Sequence, residues 1–379
     1  MSAALEGAAA PALIVGAGPA GLATAACLKR RGVDALVLEA GPSLATSWRN
    51  HYDRLHLHTM KEESHLPGVP FDEALPRYVS RADFVAYLEA YAARFSITPR
   101  TGEPVRRLRL SDDSFVVESA RATYRARAVV VASGYNRLPN PERLPDQERF
   151  RGTLLHSSGY RNGQAFAGQA VLVVGAGNTG AEIALDLAER GAQPTLAIRA
   201  PINVVPRDLL GMPIQRTSIR LRKAPLKLAD GIGRMAGWLA FGNLTRLGFP
   251  RPAMGPISST RLRRRIPLID VGTIAAIKRG EIAVKPGVSA LTETGAVFAD
   301  GSGGAFEAVV LATGFRAALA EFLEVPGVLA DDGTPRDWRG SGACTNLFFV
   351  GFEIEPTGHL RQIAARAEAV AAAIAGQAS

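Results

Sequence analysis

The 379-residue chain contains only two cysteines, Cys27 and Cys344, far apart in sequence. That scarcity excludes a disulfide framework and a closely spaced redox-active thiol pair, and it fits a reducing cytoplasm. Charged residues are few as well, at 21% against 47% hydrophobic, which excludes a disordered chain and describes a globular one. Apolar runs long enough to span a bilayer are missing. Leu13 to Leu28 mimics a signal core, but Gly16, Gly18, Pro19 and Gly21 interrupt it. The first apolar strand starts within about a dozen residues of Met1, too early for a cleaved leader. Met235 to Phe241 is greasy but short; it reads as a helix packed on its own domain rather than as a peripheral membrane contact. Little aromatic interleaving accompanies the basic residues behind the formal net charge of +9, so nucleic acid is not an expected partner. Anionic small molecules are favoured instead, with Arg263 to Arg265 as a solvated loop, and no metal site is expected.

What the chain does have is a duplicated glycine fingerprint. Gly16-Ala17-Gly18-Pro19-Ala20-Gly21 follows the apolar run Ala12 to Val15, and Gly175-Ala176-Gly177-Asn178-Thr179-Gly180 follows Val171 to Val174. Each opens a helix pattern of small residues. Glycines there let the backbone approach a pyrophosphate, and the free N–H groups and dipole of the helix N-terminus favour its charge. Two such loops imply two dinucleotides held on one chain.

The residues downstream assign them. Ala35-Leu36-Val37-Leu38-Glu39 reads as the second strand of the first unit, ending in a carboxylate that suits the hydroxyls of an unphosphorylated ribose, as in FAD. Thr195-Leu196-Ala197-Ile198-Arg199 is its counterpart, ending in a guanidinium that suits the 2′-phosphate of NADPH. Ser80 caps a predicted helix to Phe95 with Phe84, Tyr87, Leu88 and Tyr91 on one face. Val105 to Leu110 and Ser114 to Glu118 read as an antiparallel layer. The strand-to-turn element Ala128 to Gly134 recurs as Ala308 to Gly314, which brings Ser133, Gly134, Thr313 and Gly314 close to cofactor.

The expected fold class is α/β, with two Rossmann-like dinucleotide-binding domains and the NADPH domain inserted in a discontinuous FAD domain. Expected boundaries are 1–155 for the first part of the FAD domain, 156–285 for the NADPH domain and 286–379 for the returning part. Leu347 to Phe352, including Gly351, would complete the FAD domain. The final alanine-rich helix from Leu360 would aim its N-terminus at the flavin.

Phe150-Arg151-Gly152 with His156 and Tyr160 resembles the F-x-G-x-x-x-H-x-x-x-Y/F motif of class B flavin-dependent monooxygenases. Tyr52 to His58, Pro267 to Gly272 and Gly280 to Gly287 make the chain more similar to the YUCCA-type branch, whose members act as indole-3-pyruvate monooxygenases. The resemblance runs from about residue 12 to residue 374. It implies that NADPH reduces FAD, that O2 adds at flavin C4a, and that a small organic substrate is oxygenated. His58 stands where related monooxygenases place an asparagine, making it the first candidate for a catalytic contact, with Asn136 the second. His156 and Tyr160 are implied to position NADPH, and Trp48 and Arg49 to line the flavin. The turn holding Glu353 and Glu355 departs from the branch pattern, since carboxylates facing the pocket would repel a 2-oxo acid and suit an amine.

Several readings stay open at this point. Decarboxylative oxygenation of a 2-oxo acid, N- or S-oxygenation, a flavin reductase or NADPH oxidase, and a regulatory subunit sensing FAD and NADPH all use the same two fingerprints.

Overall fold

The computed structural model describes residues 10–112 and 114–376. The strand Ala10–Val15 lies between two parallel neighbours, Ala35–Leu38 and Thr123–Val131, with Leu13 opposite both Leu36 and Val129. A strand in that position is covered on both faces, so it must be apolar throughout rather than alternating. Its side chains divide accordingly. Ala12 and Ile14 enter one core with Val130 and the helices Pro19–Lys29, Arg81–Arg94 and His359–Ala375. Leu13 and Val15 enter a second core with Phe115, Val117 and Phe322.

The strands Val105–Ser111 and Ser114–Ser119 pair in antiparallel fashion, with Leu110 opposite Phe115, and the latter strand continues the sheet onto Thr123–Val131. Far along the chain, Leu347–Phe349 returns to pair with Thr123–Val131 in the same sheet. Ser80 caps the helix Arg81–Arg94: its hydroxyl accepts from the Asp83 N–H at 3.1 Å and donates to the Asp83 carboxylate at 2.6 Å.

A second sheet of five parallel strands runs in the order Ala283–Pro286, Gln193–Ile198, Ala170–Val174, Ala308–Leu311, Thr153–His156. The expected boundaries need correction here. Thr153–His156 begins before residue 156 and Ala308–Leu311 lies after residue 285, yet both are strands of this sheet. The fingerprint strand Ala170–Val174 needs a parallel neighbour on the side away from Gln193–Ile198. The second copy of the strand-to-turn element supplies it, as Thr123–Val131 does in the first sheet.

Between the third and fourth strands of this sheet in chain order, Gln193–Ile198 and Ala283–Pro286, lies an insertion. It is anchored by Val204–Pro206 pairing with Leu268–Asp270 and carries the helices Leu226–Phe241 and Pro256–Arg263. Asp230 Oδ1 caps the second of these, accepting from the N–H groups of Ile257 (2.9 Å) and Ser258 (3.0 Å). Met235 to Phe241 does not pack as expected: Met235, Trp238 and Leu239 face outward, and only Ala236 and Gly237 of this stretch are buried. Among the described residues no helix is long and apolar enough to cross a membrane.

Candidate functional site

The two fingerprint turns open onto one cavity of about 820 Å3. Gly16, Gly18, Pro19 and Ala20 line it from one side, and Gly177, Asn178 and Thr179 from the other. Glu39, Trp48, His58, Ser133, Gly134, Asn136, Gly351 and Leu360 also face it. The C-terminal helix begins at the cavity wall, with Gly358, His359 and Leu360 all lining it. Its N-terminal N–H groups therefore point their partial positive charge at whatever the cavity holds.

Whether dinucleotides fit can be read from the glycines. A Cβ on Gly16 would sit 2.6 Å from the Ala132 carbonyl oxygen, and one on Gly21 1.9 Å from that of Gly16. The second loop repeats this: 2.5 Å from Gly175 to the Ala312 oxygen and 1.8 Å from Gly180 to the Gly175 oxygen. First and third glycines are thus needed for a tight turn and close helix–strand packing. The middle glycines differ, since a Cβ on Gly18 or Gly177 would meet nothing within 4 Å. That open space above a helix N-terminus is where a pyrophosphate would lie. Gly21, Gly175 and Gly180 shape the loops from behind without lining the cavity.

A buried hydroxyl strengthens the fit. Ser133 Oγ, in the cavity wall, has no hydrogen-bond partner; Thr313 Oγ1, at the equivalent position of the repeated element, also has none, but Thr313 and Gly314 lie outside the cavity lining. An unsatisfied buried hydroxyl costs roughly 1–3 kcal/mol, which a bound polar ligand relieves. Glu39 accepts from the N–H groups of Ala17 and Gly41, each at 2.8 Å, one per carboxylate oxygen. A carboxylate has about four acceptor sites, so two remain for ribose hydroxyls.

Other expected contacts lie elsewhere. Arg49 does not line the cavity: its guanidinium pairs with Glu89 at 2.5 Å and donates to the Leu44 carbonyl. It follows Trp48 in a single helical turn, so the two neighbours project to different sides, and only Trp48 faces inward. Tyr160 is buried and donates to Asp186 at 2.6 Å, locking the linker onto the second fingerprint helix. Burial and Asp186 push its hydroxyl far above the ordinary tyrosine range, so it stays protonated. His156 bridges the Ser158 N–H (3.1 Å) and the Gly314 carbonyl (3.2 Å) and so fixes the Thr313–Gly314 turn from outside the cavity. Burial lowers its pKa, which matches a neutral ring accepting at Nδ1 and donating at Nε2. Arg199 is 74% exposed and paired with Glu142, outside the cavity lining.

His58 is held by a residue that sequence reasoning missed. Its Nε2 lies 2.5 Å from Oε1 of Glu182, a buried carboxylate on the second fingerprint helix, Asn178–Glu189. Tyr52 is buried near the same carboxylate, and burial followed by Glu182 raises its pKa well above the usual value. The cluster ties the Tyr52–His58 loop of one half to the fingerprint helix of the other, aided by the two-pronged Arg54–Glu189 pair at 2.9 and 2.7 Å. An acidic residue on the buried face of an apolar helix was the available signal for Glu182.

Asn136 lines the cavity next to Tyr135, whose hydroxyl is raised in pKa by burial. Asn178 joins the second fingerprint to the Pro267–Ile269 segment, accepting from the Ile269 N–H at 2.7 Å. Gln215 was also missed; buried in the cavity wall, it accepts from the Met60 N–H and donates to the Thr357 carbonyl, both at 2.8 Å. His51 and His359 face the cavity, and burial lowers the pKa of each. Both cysteines are free and buried, and neither lines the cavity. Burial, reinforced by Glu368, pushes the Cys27 thiol up to about 12. Among the described residues no group of three or more His, Cys, Asp and Glu is placed to hold a metal ion.

Residues 115–330 match the family model for flavin-binding monooxygenase-like proteins, and residues 13–209 match that for pyridine nucleotide-disulphide oxidoreductases. The chain is 41% identical over 360 residues to indole-3-pyruvate monooxygenase YUCCA1 of Oryza sativa subsp. japonica, covering 90% of this chain and 86% of that protein. It is 38% identical over 351 residues to the probable indole-3-pyruvate monooxygenase YUCCA1 of Arabidopsis thaliana, covering 90% and 84%. Among solved structures, a flavin-containing monooxygenase from Stenotrophomonas maltophilia superposes with a TM-score of 0.73 at 22% identity, covering 97% of this chain and 98% of that one.

Proposed function

The chain belongs to the flavin-binding monooxygenase-like family, an NADPH-dependent group of flavoproteins, and from that premise we propose that it oxygenates a 2-oxo acid of the indole-3-pyruvate type with loss of CO2. The carrying observation is the single cavity shared by both fingerprint loops. When bound, FAD supplies the activation of O2 and NADPH the reducing equivalents; the protein's task is to hold, orient and shield. Gly16 to Gly21, Glu39, Ser133 and Trp48 would hold FAD. Gly175 to Gly180 and Thr313 would hold NADPH, and Arg199 would leave Glu142 to meet the 2′-phosphate. Such an exposed ion pair is worth about 1 kcal/mol or less, so its exchange for a phosphate is inexpensive. His58, oriented by Glu182, would act at the reacting end of the cavity, with Asn136 binding beside it. The two free, buried thiols support a reducing, cytoplasmic setting.

The glutamates that argued for an amine are accounted for. Glu353 pairs with Arg366 and does not line the cavity, while Glu355 lines it 3.5 Å from Arg261. With each charge matched by an arginine, a substrate carboxylate is no longer repelled.

The balance to test is one 2-oxo acid, O2, NADPH and a proton giving the one-carbon-shorter acid, CO2, water and NADP+. Holoprotein supplied with indole-3-pyruvate should yield indole-3-acetate and consume NADPH in equal amounts. Hydrogen peroxide in stoichiometric yield, with no shortened acid, would refute the proposal.

A further inference from the structure

The helix Leu226–Phe241 buries its small residues and shows its large ones. Ala229, Ala236 and Gly237 face inward, whereas Leu228, Met235, Trp238 and Leu239 are each more than half exposed, Trp238 by 66%. At about 100° per residue, Leu228, Met235 and Leu239 fall within a stripe of roughly 40°, with Trp238 flanking it. Leu262, 61% exposed, extends the apolar surface onto the adjoining helix Pro256–Arg263. Single exposed apolar residues need no explanation, but a contiguous stripe marks a contact surface.

Charge identifies the partner. Residues 207–266 hold thirteen Lys and Arg against two acidic residues, Asp208 and Asp230, a net of +11 in a chain whose total is +9. The rest of the molecule is therefore net −2. Among the described residues only Arg207 and Arg261 of these thirteen have a carboxylate partner. The basic residues are concentrated in the insertion whose helix carries the apolar stripe, with Lys227 and Arg234 on that helix itself.

We propose that this insertion docks the enzyme on an anionic lipid bilayer surface. The aliphatic stripe would enter the boundary between headgroups and acyl chains, Trp238 would sit at headgroup depth, and the unpaired cations would meet lipid phosphates. A second copy of this chain is a poor occupant, because it would bring +11 against +11. Nucleic acid leaves the aliphatic stripe without a partner. The arrangement has a use: Ala229, Ile232 and Gly233 of the same helix, with Ile257, Thr260 and Ile266, line the cavity. The docked face and the reaction chamber are thus bordered by the same helix, which suits an apolar substrate arriving from lipid.

The test is co-sedimentation of purified holoprotein with vesicles of phosphatidylcholine alone or mixed with phosphatidylglycerol. Binding is expected only to the mixed vesicles, and it should fall as salt is raised. A Trp238→Ser, Leu239→Ser double variant should bind at least about 10-fold more weakly, because it removes two of the apolar side chains that enter the lipid boundary. Its flavin spectrum and its NADPH consumption without vesicles should match the parent, since neither residue lines the cavity. Lys223→Glu with Lys227→Glu should abolish the preference for anionic lipid. Equal binding to both vesicle types, or to neither, would overturn the proposal. So would a concentration-dependent dimer that the Trp238 and Leu239 variants convert to monomer.

Discussion

His58 and Glu182 are 124 positions apart, and their contact is what turns a loop histidine into a fixed feature of the cavity. His58→Ala is expected to lower product formed per NADPH by roughly 10²-fold, with the missing oxygen recovered as hydrogen peroxide, while flavin reduction is little changed. Glu182→Gln should fall between parent and His58→Ala; the measurement is product against peroxide in the same assay. Arg199 gives a second check. Losing a charge-assisted contact of about 1.5–3 kcal/mol, Arg199→Gln should raise KM for NADPH by about 10-fold or more and leave KM for NADH unchanged. At this scale the sequence was legible where geometry is local. The glycines, Glu39 at its strand end and the Ser80 cap all follow from neighbours within a few residues. Arg49, Tyr160 and Arg199 found partners 40, 26 and 57 positions away, which only the topology decides.

Each fingerprint helix depends on two different kinds of glycine, and substitutions should separate them. Gly180→Ala places a methyl 1.8 Å from the Gly175 oxygen, so the helix must shift; lower Tm and lost flavin reduction by NADPH are expected together. Gly177→Ala meets nothing in the protein, so Tm should hold while KM for NADPH rises. Half-buried histidines set the acid limit of the elements around the cavity. His51, His156 and His359 are lowered in pKa by burial, so below about pH 6.5 the unfolded chain takes up protons that the folded one resists. Tm should therefore fall as pH drops through that range and be flat with respect to these groups above it. Element types were readable because all-apolar runs bounded by glycine turns mark buried parallel strands. Which sheet each run joins was not, and Ala308–Leu311 was misplaced for that reason.

At the scale of the whole molecule there is a repeat: two sheets each present a fingerprint strand beside a valine-containing strand that is followed by alanine, a hydroxyl residue and glycine. That duplication was visible in the sequence, and with it the expectation of two cofactors. How the halves meet was not, because the joining contacts at His58, Arg54, Gln215 and Arg264 all span long stretches of chain. Catalysis on this account requires that the halves present their cofactors to one another across the shared cavity. The most direct test is anaerobic stopped-flow mixing of FAD-loaded protein with NADPH, following the flavin absorbance. Complete bleaching is expected, first order, saturating with NADPH and independent of protein concentration. An unchanged flavin, or bleaching that accelerates with protein concentration, would contradict the shared chamber.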